Sequence, residues 1–246
     1  MGTNSAPCQI HTTEGVHLYS IINEGKLLPR PCNVFAGESL LYFFAGRPSY
    51  KWKATGEASL HQLPVAFVFK PIESAKIRRV FPFDSGAFVS QLYPSYMRRF
   101  QLSDFELTDG QESITKLVST FFGNQSSYLS GRAKSVETLI SEYSLTPRHA
   151  AISALGRLLH ETYSDRFDDR NRSIEVQVAH EIPLGLGQLL GVVIPQAYFD
   201  DDDVRAYFEA FACNVKRYRM WPLNVEGYFS EIYSKVVEIS EEWATP

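Results

Sequence analysis

The sequence predicts an α+β fold. Segments of strand length with period-two patterning, such as residues 39–45, 64–69 and 173–178, alternate irregularly with segments of helical spacing such as 111–122. No regular βαβ rhythm links them, which argues against a doubly wound sheet. The chain is 246 residues long, 44% hydrophobic and 21% charged, enough to enclose a sizeable core. No internal repeat, low-complexity linker or composition break is visible. One domain over 1–246 is therefore expected, with a helical insertion at about 110–165 and a helical C-terminal part at about 203–243.

Residues 1–8 read as a loose tail and Gln9 to Thr13 as a short strand. Val16 to Glu24 has helical spacing of Val16, Tyr19, Ile21 and Ile22, with Gly25 as its C-cap. Pro29 and Pro31 open a loop, Ser39 to Ala45 is a strand ending at Gly46, and Pro64 to Phe69 is a second apolar strand. Arg78 to Ser90 is turn-rich around Pro82, Asp84 and Gly86 and reads as a loop with short extended pieces. Helices follow at Gln111 to Phe122 and Ser135 to Tyr143. A third runs from Thr146 to about Tyr163, with Thr146 as N-cap and Pro147 at the first helical position. Asp165 to Arg172 is a charged loop that leads into the strand Ser173 to Val178. Leu189 to Ile194 is a buried strand, and Asp203 to Trp221 and Glu226 to Trp243 close the chain as helices.

Composition narrows the function classes. A net charge of −4 gives no global attraction for nucleic acid, although a local basic face is allowed. Cys8, Cys32 and Cys213 are odd in number and widely spaced, so neither a disulfide framework nor a metal-ligand set is expected, and a reducing cytosol fits. Met1 to Ile10 has no apolar signal core, and no apolar run approaches the roughly 18 residues of a membrane span. The localisation expected is cytoplasmic.

Several motifs are excluded by inspection. No phosphate-binding G-x-x-x-x-G-K sequence occurs. Gly185-Leu186-Gly187 starts like a dinucleotide fingerprint, but Leu190 stands where its last glycine belongs. His180-Glu181 has Leu184 where a zinc protease needs its second histidine. The run Asp200 to Asp203 is read as a helix start, since acidic residues suit a helix N-terminus.

Four elements remain. His11-Thr12-Thr13 lies on a short strand before a helix. Tyr42-Phe43-Phe44-Ala45-Gly46-Arg47 is an aromatic strand that delivers an arginine to a turn. The third element is the loop Asp165 to Arg172. The fourth is Glu175, which shares one strand face with Gln177 while Ile174, Val176 and Val178 share the other. A carboxylate on such a strand is either solvated or held for a purpose.

In this order and spacing, the set resembles the DarT-like family of NAD-dependent ADP-ribosyltransferases, toxins that modify bases of single-stranded DNA. The likeness rests on His11-Thr12-Thr13, then Leu18, Ile21-Ile22 and Gly25-Lys26-Leu27. It continues through Phe44-Ala45-Gly46-Arg47 and through Glu175 with Pro183 eight residues later. It covers about 9–50 and 165–195, while about 55–160 carries no matching motif. Three features depart from the pattern: His17 precedes the first-helix leucine, Gly46 replaces a proline, and Pro48-Ser49 reverses a Ser-Pro order.

The resemblance implies an ADP-ribosyltransferase-like mixed β core of two packed sheets with peripheral helices. It implies NAD as co-substrate, no metal, and release of nicotinamide. Breaking the nicotinamide–ribose bond builds positive charge at the ribose carbon, and a carboxylate there stabilises it. Glu175 is the expected catalytic carboxylate, assisted by Arg47. His11, Thr13, Tyr42, Phe44 and Arg47 are expected to hold NAD, with Arg47 on the diphosphate or the reacting ribose. Arg170, Arg172 and Gln177 are expected at the acceptor. The acceptor implied is a base in single-stranded DNA, and a macrodomain antitoxin that reverses the mark follows from the same likeness.

Three basic–aromatic clusters are candidates for a nucleic-acid strand. They are Lys76, Arg78 and Arg79 beside Phe81; Arg98, Arg99 and Phe100 beside Tyr93 and Tyr96; and Lys216-Arg217-Tyr218-Arg219 on a helix. Two other functions stay open: the same fold acting on a protein target or as an NAD glycohydrolase, and a nucleotide-sensing module without catalysis.

Overall fold

β1 (Gln9–Glu14) occupies the centre of the fold. The computed structural model describes residues 6–49, 59–162, 168–185, 187–211, 213–220 and 225–244. After β1 a short 3₁₀ turn leads into α1 (Leu18–Glu24), which ends at Gly25 in the left-handed region, φ 64°, as its C-cap. Then come β2 (Lys26–Leu27), β3 (Arg30–Pro31), β4 (Ser39–Ala45), β5 (Pro64–Phe69), β6 (Ile77–Phe81) and α2 (Ser85–Val89). Two 3₁₀ turns, Ser95–Arg99 and Leu102–Phe105, precede α3 (Gln111–Phe122), α4 (Gln125–Leu129), α5 (Val136–Tyr143) and α6 (Ala150–Leu158). β7 (Glu175–Val178), β8 (Ile182–Pro183), β9 (Leu189–Pro195), α7 (Gln196–Phe199), α8 (Asp202–Ala210), β10 (Asn214–Tyr218) and α9 (Val225–Ala244) complete the chain.

The main sheet runs β10-β9-β5-β1-β4-β7-β6, with β3 added to β4. It is mixed: β10 is parallel to β9, and the other ladders are antiparallel. β2 and β8 form a small second sheet. This replaces the expected pair of packed sheets. One joint of the main sheet is narrow. β1 pairs with β5 along Gln9 to Glu14, but with β4 only at Gln9↔Ala45 and Ile10↔Phe44. Beyond Ile10 the two halves of the sheet part company.

Both faces are covered. On one, Phe43, Phe67, Phe69, Val80, Val176 and Val178 join side chains from α3, α5, α6 and α8 in the larger core. On the other, Ile10, Ala66, Val68 and Val193 pack against Tyr228, Ile232, Val236 and Ile239 of α9. Burial on two faces explains why β5 and β9 read as nearly unbroken apolar runs.

Four expectations are corrected. The segment Arg78 to Ser90 is not a loop: β6 pairs with β7 up to Phe81↔Glu175, Pro82 ends the strand, and Asp84 caps α2 by accepting the Ala87 N–H at 2.9 Å. The helix expected to reach Trp221 stops at Ala210, Asn214–Tyr218 is a strand because it completes a ladder with β9, and Trp221 itself lies outside the described residues. The helix expected to reach Tyr163 stops at Leu158, and Tyr163 itself lies outside the described residues. In α1 the side turned inward carries Leu18 with Ile21 and Ile22, while Val16 and Tyr19 are exposed. Among the described residues no helix is long and apolar enough to cross a membrane.

Candidate functional site

Glu175 opens β7, and its side chain is fully buried. Ladder partners share a face. Phe44↔Glu175↔Phe81 and Tyr42↔Gln177↔Arg79 are therefore two rows on one face of the sheet. Both rows are roofed. Phe35 stacks on Phe81 at 5.9 Å between ring centroids and receives the Arg79 guanidinium at 4.2 Å. Arg79 donates to both Glu38 carboxylate oxygens at 2.6 Å. The Tyr42 hydroxyl sits 2.6 Å from the Cys32 thiol, which also accepts the backbone N–H groups of Val34 and Phe35 at 3.2 Å. Burial, the Cys32 contact and the nearby Glu175 charge together push the Tyr42 phenol well above its ordinary range.

The start of α2 holds the carboxylate. Ser85 donates its N–H to Glu175 Oε2 at 3.0 Å and its hydroxyl to Oε1 at 2.6 Å. Gln177 donates its amide to Oε1 at 2.6 Å. A carboxylate clamped by three donors has one orientation, which suits it to stabilise positive charge or accept a proton. Ser85 and Asp84 were missed as site residues. The Asp-Ser-Gly sequence after a proline is an N-cap signal, and it was the one local cue.

His11 lies where the sheet parts. A carbonyl can only accept, so His11 Nδ1–H donates to Tyr42 O at 2.9 Å and leaves Nε2 as the acceptor nitrogen of the neutral ring. The ring packs on Phe43 and Phe67, at 5.5 and 6.5 Å between centroids. Burial pushes its pKa down, and this outweighs the Tyr42 hydrogen bond. His11 and Thr13 thus share the face of Phe43 and Phe67, opposite the face that carries Glu175, so the sheet does not bring them together with it as expected. Thr12, in register with Ala66 two residues beyond Ile10↔Val68, is the β1 residue on the Glu175 face.

Arg47 has a different setting from the one expected. Only 8% exposed, it donates Nε to Asp169 at 2.8 Å and Nη1 to Tyr128 O at 3.0 Å. The Tyr233 hydroxyl of α9 donates to the same Asp169 oxygen. Burial opposes the Arg47 charge, but Asp169 and the two tyrosines outweigh it and hold the guanidinium firmly protonated. A diphosphate clamp at Arg47 would have to displace Asp169. Arg170 is likewise engaged, paired with Asp168, while its backbone oxygen receives Asp84 N–H at 3.0 Å and the Tyr93 hydroxyl at 3.1 Å. Arg172 donates to Glu161 O at 3.0 Å. These two arginines fasten the 168–172 segment to its neighbours; Asp165, where the expected loop began, lies outside the described residues.

Polar atoms around the split bear on whether a hydroxyl-rich ligand fits. Thr12 Oγ1 and Gln177 Oε1, on the strands either side of β4, are buried without a hydrogen-bond partner. Buried polar groups are seldom left so, and sugar hydroxyls would satisfy both. Tyr42 of β4 stands on the same face between these two strands, so a ribose would have to displace its ring, as a diphosphate would have to displace Asp169 from Arg47. No group of His, Cys, Asp and Glu among the described residues is placed to hold a metal ion.

Arg79 is buried on Glu38, Arg78 approaches the same carboxylate at 3.6 Å, and Lys76 pairs with Glu73. Lys216 pairs with Glu238 and Glu242 from β10, not from a helix; Arg217 lies over Phe199, and Arg217 and Arg219 are exposed without an ion pair among the described residues. Arg98 and Arg99 are exposed and form no ion pair among the described residues. No family model matches the chain, and no curated protein matches it.

Proposed function

We propose that this chain is an NAD-dependent ADP-ribosyltransferase that modifies a nucleic-acid base, with single-stranded DNA as acceptor. The observation that carries the reading is the adjacency β1-β4-β7. It sets Thr12 and Glu175 two strands apart on one face, the carboxylate fixed by Ser85, with His11 at the parting of the sheet on the opposite face. Thr12 and Gln177 carry unsatisfied buried polar atoms that a ribose could meet if the Tyr42 ring between them moved aside. In this reading the bond from the ribose carbon to the pyridinium nitrogen breaks, and its electron pair leaves with neutral nicotinamide. The acceptor atom bonds to that carbon, and its proton passes to Glu175. The carboxylate works through the charge it stabilises as the bond opens. Arg47, Arg170 and Arg172 serve here as structural ties. The mixed sheet would then be an ADP-ribosyltransferase-like core, in cytoplasmic surroundings, with a macrodomain antitoxin as the partner to seek.

The test is incubation with labelled NAD and separate pools of single-stranded DNA, RNA and protein. Label in the DNA pool with nicotinamide release is expected, and Glu175→Gln, which preserves shape, should abolish both. Label in protein alone moves the acceptor. No heat-stability gain with millimolar NAD removes the reading entirely. A second reading, a nucleotide-sensing module without catalysis, is favoured by the full burial of Glu175. Its mark would be stabilisation by NAD with no nicotinamide released in any pool.

A further inference from the structure

We infer that the recess between α2 and the Ser95–Arg99 turn is a receptor for one unpaired nucleobase of a single strand, with Arg98 and Arg99 on the adjoining phosphates. The cavity is about 180 Å³, and its walls include Phe88, Tyr93, Met97, Arg98 and Phe100. That is less than a drug-sized ligand occupies and suits a single flat ring system.

The walls are set before any ligand arrives. Phe88 lies flat on Phe83, with 8° between the rings, and meets Phe105 edge-on. Phe100 also meets Phe105 edge-on, at 5.8 Å. Phe83 and Phe105 are buried, so they brace the half-buried rings Phe88 and Phe100 from behind. Rings held this way lose little freedom when a base stacks on them. Met97 supplies a soft, adaptable floor.

Charge selects the occupant. Arg98 and Arg99 are exposed and outside ion pairs among the described residues, as are Arg217 and Arg219 of the third cluster, but here Arg98 also lines the cavity. Guanidinium groups beside aromatic rings match a base followed by phosphate. The recess also abuts the carboxylate site. Tyr93 donates its hydroxyl to Asp84 O and Arg170 O, at 3.1 Å each, and Asp84 immediately precedes Ser85, which clamps Glu175. The inference deepens the acceptor half of the proposed function, but its test needs no NAD.

The probe is a fluorescein-labelled single strand of about 12 nucleotides, read by anisotropy at low salt without NAD. Phe100→Leu keeps apolar volume and removes the flat ring. It should weaken binding about tenfold, as loss of one base stack does, with the melting temperature near wild type. Arg98→Ala should lower affinity and make it less salt-dependent. Arg205→Ala, on α8, should match wild type. The matched duplex should bind far more weakly. Wild-type affinity in both Phe100→Leu and Arg98→Ala would overturn the inference. So would no binding by the wild type, or equal binding of a free mononucleotide, which would assign the recess to small nucleotides. Failure of the NAD tests with this result intact would leave a single-strand binding protein.

Discussion

Glu175 and the recess beside Arg98 are joined through Asp84 and Tyr93, yet they are built on opposite plans. At Glu175 the donors Ser85 and Gln177 already face the carboxylate oxygens, and Phe35, Arg79 and Cys32 close the face above. At the recess, braced rings and unpaired guanidinium groups face outward. The first site is fixed by the sheet and tolerates little change. The second is fixed only from behind, and its outer residues are free to vary. Burial thus enforces orientation at the first, while exposure leaves the second open to a ligand.

The largest expected effect falls on the buried side of this contrast. Arg47→Ala leaves Asp169 without its charge partner and should cost about 3–5 kcal/mol in urea unfolding. Arg47→Met should recover much of that, and an Arg47→Ala protein of wild-type stability would show the pair to be incidental. Glu175→Ala strands the Ser85 and Gln177 donors in a dry interior and should cost about 2–4 kcal/mol. Glu175→Gln, which can still accept the Ser85 N–H, should cost less than half as much; equal losses would mean that the charge itself is essential to folding.

A smaller effect tracks pH. Burial holds the His11 ring below its ordinary pKa of 6.5, so below that value the unfolded chain binds a proton that the folded one resists. This part of the stability is complete above pH 6.5 and is lost as the pH falls toward the folded pKa. Urea midpoints for wild type and His11→Gln should therefore converge in acid; parallel curves would exclude His11 as the source. The smallest effect belongs to the open side. Arg98→Ala should change folding stability by less than about 0.5 kcal/mol, as exposed substitutions do. A larger loss would place Arg98 among the structural arginines and erase the contrast.

Legibility in the sequence followed the physics of each part. β1, β4, β5 and β9 were plain because runs such as Pro64–Phe69 are apolar at strand length, and α3 because Ile114, Leu117, Val118 and Phe121 recur at helical spacing. β6 and α2 were hidden. Arg78 and Arg79 break the apolar pattern, and the burial of Arg79 depends on Glu38, which is distant in sequence. β10 was hidden because Lys216 and Arg217 suit an exposed helix as well as an edge strand. Among the site residues, the strands of His11, Tyr42, Phe44 and Glu175 were legible as strands, but that His11 and Glu175 face opposite sides of the sheet was not, because it depends on register across β4. That Arg47 and Arg170 pair with Asp169 and Asp168, and that Arg172 donates to the Glu161 backbone oxygen, was not, since those contacts exist only once the 168–172 segment has docked.

The sheet order has one further consequence, for the way the chain is made. β7 lies between β4 and β6, two strands that leave the ribosome roughly 130 and 95 residues before it. Until Glu175–Val178 emerges and inserts, β4 and β6 each present an open edge of unpaired N–H and C=O groups, flanked by Phe43, Phe44, Val80 and Phe81. A nascent or truncated chain ending before residue 175 is therefore the form most exposed to edge-to-edge aggregation and most in need of a chaperone.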